Sequence, residues 1–366
     1  MTKLSKHNYA VIMAGGIGER FWPMSRTYRP KQFIDILGTG KTLIRQTYER
    51  FLDVLPKENI FVITNTNFKH LVLEQIPGIP EDRIICEPTR KNTAPCIAYA
   101  AWKIQAMDPS ARLVVAPSDH IILKEQEFAR IIRLALQAAN QHDWLLTLGI
   151  TPSRPDTGYG YIQFLQGAPW LADESLKKVK TFTEKPNLEL AESFLKSGDF
   201  LWNSGIFIWS AHAIIEAFEK YQPEISYVFR EANGKYNTPE ELPYMSIAYA
   251  ACKSISIDYA IMEKADNVYV FVSDFGWSDL GTWGSLYDVR ARDENENAVM
   301  GKNVMLYEVS NCIVNIPDDK LVVLQGLDNY IVAESDNALL ICQKEKEQEI
   351  RRFVNDVRIK KGEDFT

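Results

Sequence analysis

A glycine-rich loop, Gly15-Gly16-Ile17-Gly18-Glu19-Arg20, follows the short apolar run 9–14 and leads into Arg26, Arg29 and Lys31. Glycines let backbone N–H groups approach a ligand that a Cβ would block, and such a loop at a strand end makes an anion cradle. Four cations lie between residues 20 and 31 of a chain whose formal net charge is -7. The pattern points to a local polyanion site, and the polyanion it suits is a nucleoside triphosphate.

Two familiar phosphate motifs fail on spacing. The dinucleotide fingerprint needs a third glycine after Gly16-Ile17-Gly18, and Phe21 stands there, so an NAD-dependent oxidoreductase loses its main support. Gly38-Thr39-Gly40-Lys41-Thr42 imitates the end of a Walker A loop, but its first glycine would fall at Asp35. That segment reads as a turn capping a helix that starts near Leu43. An ordinary strand-to-helix turn is the plain alternative for Gly15 to Gly18, and the basic residues after it weigh against that reading.

These residues need a scaffold. Short apolar runs at 9–14, 60–64, 84–86, 113–116, 145–149, 205–209 and 268–272 read as strands. Helical patterns fall at 43–55, 94–107, 128–140, 188–196, 213–221 and 259–264. This alternation predicts an α/β fold, a Rossmann-like mixed and mainly parallel sheet covered by helices on both faces. Ligands then bind beyond the carboxyl ends of the strands. After about Arg292 the texture changes to short β runs separated by turn residues. The expected division is a catalytic domain at 1–292 and a small β-rich C-terminal domain at 293–366, β-helix-like in one arrangement, ending in a charged surface helix and a frayed tail.

Composition narrows the classes. Hydrophobic residues make up 46% and charged residues 24% of 366 positions, as in a soluble globular protein. No apolar run approaches the roughly 18 residues of a membrane span, and the polar N-terminus lacks a signal-peptide core. Five scattered cysteines without a Cys-x-x-Cys pair argue against a disulfide framework or zinc site and for a reducing, cytoplasmic compartment. A pI near 5.5 speaks against nucleic acid as a partner.

In order along the chain, Gly15 to Arg26 with Pro30-Lys31-Gln32-Phe33, Glu87-Pro88 with Lys91-Asn92-Thr93-Ala94-Pro95, and Pro117-Ser118-Asp119-His120 form a set. Thr157-Gly158-Tyr159-Gly160-Tyr161-Ile162, Phe182-Thr183-Glu184-Lys185-Pro186 and Trp202-Asn203-Ser204-Gly205 continue it, then Ser256-Ile257-Asp258 through Lys264 and Trp277-Ser278-Asp279-Leu280-Gly281. The set resembles the mannose-1-phosphate guanylyltransferases, a family of sugar nucleotidyltransferases with a GT-A-like fold, over about residues 8–290. Phe21 and Met24 stand where leucines are usual. Longer members carry a fused cupin-type isomerase domain, and this chain is expected to lack one. The resemblance implies GTP and mannose 1-phosphate as substrates and Mg²⁺ as cofactor. It places Ala14, Gly15, Gly16, Gly18, Glu87, Asn92, Thr93 and Ser118 at the nucleotide.

The chemistry of these residue types agrees. An acceptor phosphate with a second pKa of about 6 is already ionised near neutrality, so no general base is needed and catalysis is positioning plus charge neutralisation. Arg20 can fork onto phosphate oxygens and Lys31 can act as a point charge beside the α-phosphate. For Arg26 and Arg29, surface solvation and phosphate contact weigh equally. Asp119, after a strongly apolar strand, suits Mg²⁺, and Asp279 is the natural second ligand; a helix N-cap is the plain role for Asp279. Glu184, Lys185 and Asn203 suit sugar hydroxyls and the sugar phosphate, with a surface ion pair and an Asx-turn as their plain readings. Gly158 and Gly160 would admit the sugar ring, and Asp258 would support the pocket. Within Glu87 to Thr93, a carboxylate or carbonyl can accept from the guanine edge, while Thr93 can instead cap a helix.

A nucleotidyltransferase for another hexose 1-phosphate or NTP is the nearest rival. A non-catalytic, nucleotide-sugar-sensing subunit is a rival of another class; loss of Arg20, Lys31, Asp119 or Asp279 would mark it, and all four are present. The exposed edges expected of a small β domain predict packing on the catalytic domain and a homodimer contact.

Overall fold

The computed structural model describes residues 6–166 and 175–366. They form two compact units. The first comprises Met1–Gly15, Thr47–Ser118 and Ile122–Trp277; the second comprises Gly16–Gln46, Asp119–Ile121 and Ser278–Thr366. Compactness thus groups residues 16–46 with the C-terminal β segment, across the linear division expected at residue 292.

The first unit is built on a nine-stranded sheet among the described residues. From one edge its strands are Ile84–Glu87, Ile60–Asn65, Asn8–Met13, Arg112–Pro117, Phe200–Ser210, Leu145–Ile150, Val268–Ser273, Leu176–Thr183 and Tyr161–Phe164. The first four run parallel, as do 145–150 and 268–273. Phe200–Ser210 runs antiparallel to both its neighbours and joins the two parallel groups. The parallel strands are apolar along their length because both faces are covered, and every residue of 60–65 and 84–87 is buried. Leu176–Thr183 is only half-buried, and lysines occupy it at 177, 178 and 180.

Helix Thr93–Met107 lies in the main core of this unit. It is apolar all round, with eleven consecutive residues buried from Ala94 to Ile104, the mark of an interior helix rather than an amphipathic one. Lys103 is the exception. Its ammonium lies 2.6 Å from Glu241 Oε2, and the Tyr99 hydroxyl donates to Glu241 Oε1 at 2.6 Å. Glu241 starts a helix, Glu241–Ala251, that periodicity does not reveal because its sequence is apolar on several sides; Pro223–Arg230 is a second helix outside those expected, short and amphipathic, with proline at its first position.

In the second unit, Ala298–Met300, Ile313–Asn315 and Tyr330–Ser335 stack in parallel register, and Val304–Tyr307 pairs in parallel with Val322–Gln325. Parallel stacking of short successive strands is the arrangement of a β-helix. Ala338–Gln343 closes it antiparallel to 330–335. A core of Phe21, Trp22, Ile34, Ile36, Leu280, Trp283, Leu286, Ile313, Ile331 and Ile350 joins the glycine-rich segment to this stack. The C-terminus corrects the expectation of a frayed tail. Helix Ile350–Lys361 buries Ile350 and Val354, a short turn follows at Glu363–Phe365, and Thr366 is buried.

The Lys103–Glu241 pair gives the first prediction. Lys103→Ala leaves a buried carboxylate without its cation, and should destabilise the protein by roughly 3–5 kcal/mol in urea unfolding. An effect below about 1 kcal/mol, the scale of an exposed pair, would contradict it.

Candidate functional site

Four parallel strands of the first unit end together, and the loops after them carry chemistry. Ala14 extends the first strand: its N–H donates to Ile63 O and its carbonyl accepts from Thr64 Oγ1, both at 2.8 Å. The Ser118 N–H donates to Met13 O at 3.0 Å. Glu87, at the end of the edge strand, has its backbone carbonyl held by Asn65 and Thr66. Its side chain is buried, accepts from the Tyr249 hydroxyl at 3.0 Å, and places Oε2 3.4 Å from where a Cβ on Gly15 would sit. Ala14, Gly15, Glu87 and Ser118 are therefore brought to one end of the sheet, where an open α/β sheet binds ligands. Burial pushes the Glu87 carboxyl up to about 7, with hydrogen bonds from Tyr249 and Cys96 acting the other way. Tyr249 and Cys96 carry no motif signal, because their partner is distant in sequence.

Asn92 and Thr93 open the interior helix. Asn92 adopts φ 69° and caps it, its side chain accepting from Thr93 N at 2.8 Å. The cap is thus Asn92; the Thr93 hydroxyl instead accepts from Ile257 N at 2.8 Å. Ala94 N donates to Ile255 O and Ile255 N to Lys91 O, lacing this segment to the one that ends at Asp258.

A second cluster in the same unit contains Gly160, Glu184, Lys185, Asn203 and Asp258. Asn203 N donates to Gly160 O at 2.8 Å, and Asn203 Nδ2 donates to Asp258 Oδ1 at 2.8 Å. A Cβ on Gly160 would lie 2.5 Å from Glu184 Oε2, so any side chain there would displace the Glu184 carboxylate. Lys185, at φ 46°, pairs its ammonium with Glu184. Burial, then repulsion from Glu184, pushes the Asp258 carboxyl up to about 6 against the Asn203 hydrogen bond. Asp258 begins a single π-helical turn, Asp258–Met262, a feature frequent at functional sites. Asn203 also makes the Asx-turn, Oδ1 accepting from Gly205 N at 3.1 Å. Gly158 is held apart from these contacts: its N–H donates to Asp156 Oδ1 at 2.8 Å. Beside it, Arg154 lies over the rings of Tyr159 and Trp202, which sequence reading did not single out.

The second unit holds the third cluster, around Lys31. The side chain of Lys31 is 4% exposed, and its ammonium donates to Asp119 Oδ2 at 2.7 Å, Asp279 O at 3.1 Å and Leu280 O at 2.7 Å. An ammonium has three donors, and all three are engaged. Gly18, at φ 75°, leaves room for Lys31: a Cβ there would sit 2.5 Å from Lys31 Cβ. Leu280 is fully buried at φ 45°, a costly conformation for a bulky residue that the two carbonyl contacts hold in place. Asp279 Oδ1 accepts from Gly281 N at 2.9 Å, and Arg20 Nη1 donates to Gly281 O at 3.4 Å. Asp279 is therefore not the helix cap considered above; Thr282 caps Trp283–Val289 in a capping box with Ser285. Burial raises the Asp119 carboxyl, but the Lys31 ammonium and then His120 outweigh it and hold it below the usual range.

The expected open basic patch is corrected by burial. Arg26 is 1% exposed, with its guanidinium on backbone carbonyls, so it serves neither solvation nor phosphate; Arg29 is exposed. Lys31 holds the Asp119 carboxylate and the Asp279 backbone carbonyl, while the Asp279 carboxylate accepts from Gly281 N. No group of three or more His, Cys, Asp or Glu side chains placed to hold a metal occurs among the described residues. Two carboxylates without nitrogen or sulfur fit Mg²⁺, which takes one or two carboxylates and completes its shell with phosphate and water.

The raised carboxyls of Glu87 and Asp258 predict a pH dependence. Each binds its proton more tightly in the folded than in the unfolded state, so the stability these two groups contribute is fully present below the ordinary carboxylate range and is lost as pH rises through about 6 to 7. Thermal melting of Glu87→Gln and Asp258→Asn should lose part of that fall; melting curves parallel to wild type across this range would contradict the assignment.

With this geometry in hand, the comparisons with known proteins agree. The family described as Nucleotidyl transferase matches residues 9–296, and that described as MannoseP isomerase/GMP-like beta-helix domain matches residues 302–357. The mannose-1-phosphate guanylyltransferase of Klebsiella pneumoniae is 36% identical over 94% of this chain and 72% of its own length. The alginate biosynthesis protein AlgA of Pseudomonas aeruginosa is 35% identical over 95% of this chain and 71% of its own. Among solved structures, mannose-1-phosphate geranyltransferase from Thermus thermophilus superposes with a TM-score of 0.86 at 29% identity, covering 96% of this chain and 99% of that one. The mannose-6-phosphate isomerase from Helicobacter pylori gives 0.59 at 26% identity, covering 74% and 99%. The chain belongs to the nucleotidyl transferase family and carries a C-terminal β-helix domain of the GMP-like kind.

Proposed function

We infer that this protein transfers GMP from GTP to α-D-mannose 1-phosphate, giving GDP-mannose and pyrophosphate. The observation that carries the reading is the Lys31 cluster: one buried ammonium gathers Asp119 and the backbone at Asp279 and Leu280, with Arg20 tied to the next carbonyl at Gly281. Relatives named mannose-1-phosphate guanylyltransferase support the choice of base and sugar.

The sugar phosphate attacks the α-phosphorus in line, and pyrophosphate leaves from the opposite side. The residues orient the reactants and offset charge; none needs to take a proton. Gly15, Gly16 and Gly18 present backbone N–H groups to phosphates, Ala14 holds the strand end from which they rise, and Arg20 adds a fork of donors. Ser118 stands at the neighbouring strand end, held there by its N–H on Met13 O. Lys31 acts through its charge, since its three donors are occupied; contact with a phosphate oxygen requires exchange of one carbonyl. Glu87, Asn92 and Thr93 form the base segment. Glu184, Asn203 and Asp258 accept from or donate to the hexose hydroxyls, Lys185 offers its half-exposed ammonium to the sugar phosphate, and Gly158 and Gly160 leave space for the ring. Asp119 and Asp279 would hold Mg²⁺, which supplies charge neutralisation on the phosphates when bound.

The reading extends to setting. Five free cysteines suit a cytoplasmic enzyme, and no helix of the described residues is long and apolar enough to cross a membrane. The apolar side chains exposed on the β stack, Met305, Tyr307, Val323, Leu339 and Ile341, favour a homodimer. The family boundaries near residues 296 and 302 support a linear division close to residue 292.

Pyrophosphate release tests the reaction directly, with each NTP offered against a panel of hexose 1-phosphates. GTP with mannose 1-phosphate should be preferred, and EDTA should abolish release. Asp119→Asn or Asp279→Asn should each lower kcat by about 10²–10³, the scale of a lost charge-stabilising contact. Lys31→Ala should lower kcat and kcat/KM together, whereas a change in KM alone would mean ground-state binding only. Asn203→Ala should raise KM for mannose 1-phosphate far more than for GTP; equal losses would place Asn203 outside a sugar site.

A further inference from the structure

Arg26 poses a problem that the proposed reaction does not answer. It is a cation buried to 1% exposure, and its described contacts are with oxygens of amides rather than with a carboxylate. Taking a cation out of water costs several kcal/mol unless its donors are met, and an apolar residue of similar size would fill the space more cheaply. The guanidinium must therefore be doing something that its fork of donors allows.

Its contacts show what. Nε donates to Pro23 O at 2.8 Å, within its own loop. Nη2 donates to Ser335 O at 2.9 Å and Asn337 Oδ1 at 3.3 Å, in the turn between two strands of the β stack. Nη1 donates to Phe365 O, in the last turn of the chain. The same Phe365 carbonyl accepts from Trp22 Nε1 at 2.7 Å, and Asn337 Nδ2 donates to Asp364 O at 3.2 Å. Two outer contacts repeat the link: Tyr28 Oη donates to Asp336 Oδ2 at 3.0 Å, and Arg358 Nη2 lies 3.3 Å from Glu19 Oε1. All these residues belong to the second unit. The loop so held, residues 19–28, lies between Gly18 and Lys31, with Arg20 inside it.

We propose that Arg26 is a positioning residue: with Trp22 it ties the glycine-rich loop to the 335–337 turn and the 363–366 segment, so that the C-terminal β domain fixes where Arg20 and Lys31 present their charges. The proposal rests on the reading of that loop as the nucleotide site. A planar fork suits this task because its N–H donors leave three nitrogens in fixed directions toward three chain segments, where a lysine offers three donors on one nitrogen.

Arg26→Lys keeps the charge and loses the fork; Trp22→Phe keeps a ring and loses the N–H; a chain lacking residues 363–366 removes the shared carbonyl. Amide exchange is the first readout, because Phe21, Trp22, Met24, Ser25 and Lys31 all donate backbone hydrogen bonds within this loop. Exchange over 17–33 should become about tenfold faster or more in Arg26→Lys and in the shortened chain, with 60–65 and 112–117 protected as in wild type. Pyrophosphate release should show kcat down about tenfold with KM for mannose 1-phosphate within about twofold. The two changes combined should cost less than the sum of the two alone, because they share the Arg26–Phe365 contact. Unchanged exchange, unchanged kcat or additive losses would overturn the proposal, and so would loss of protection throughout the sheet, which marks a merely structural residue. If Arg26→Lys does not fold, Trp22→Phe with the shortened chain closes the same cycle. A wild-type protein that releases no pyrophosphate removes the catalytic reading, while exchange still decides whether the clamp exists.

Discussion

The buried ammonium of Lys31 is the constraint on which the arrangement of Asp119, Asp279 and Leu280 in the second unit depends. A desolvated cation has to satisfy every donor, and Lys31 does so with three oxygens, from Asp119, Asp279 and Leu280. Segments far apart in sequence are thereby fixed relative to one nitrogen. Other features follow from it. Gly18 has no side chain because Lys31 occupies that space, and Leu280 tolerates a left-handed backbone because its carbonyl is held. Asp119 stays ionised because the cation beside it outweighs its burial. A carboxylate so prepared is ready for a divalent ion without first losing a proton.

The first unit solves a different electrostatic problem. Glu184 and Asp258 are like charges close enough for one to raise the other. Lys185 pairs with the first and the Asn203 amide with the second. The result is a set of acceptors and donors of moderate strength, which suits hydroxyl recognition better than proton abstraction. Glu87 belongs to a third environment, buried against Tyr249 and Cys96. Near neutrality it is poised between acceptor and donor.

The C-terminal domain has its interest in what it packs on. Parallel short strands give it a ladder of backbone hydrogen bonds, but its core is completed by Phe21, Trp22, Ile34 and Ile36 from the segment that carries the glycine-rich loop. The β stack and that loop form one compact unit, so a substitution in the stack has a physical route to the loop.

The sequence by itself determined the alternating strands and helices, since apolar runs of strand length and amphipathic periods are local signals. It also offered the residue types of a candidate site: Gly15, Gly16, Gly18, Arg20, Lys31, Asp119, Glu184 and Asp279 stand after strands or in loops and short turns, while Asn203 lies inside Phe200–Ser210. Helices Pro223–Arg230 and Glu241–Ala251 were hidden, because runs of 8 and 11 residues repeat their single buried face too few times to stand out. Tertiary structure alone decided the rest. Arg20, Arg26, Arg29 and Lys31 are equivalent cations in one dimension; in three, Arg26 is buried on carbonyls and Lys31 on Asp119. The charged C-terminal stretch looks free to fray until its last turn accepts from Trp22 and Arg26. Burial and long-range hydrogen bonding assign such roles, and both are properties of which segments meet, which no local pattern encodes.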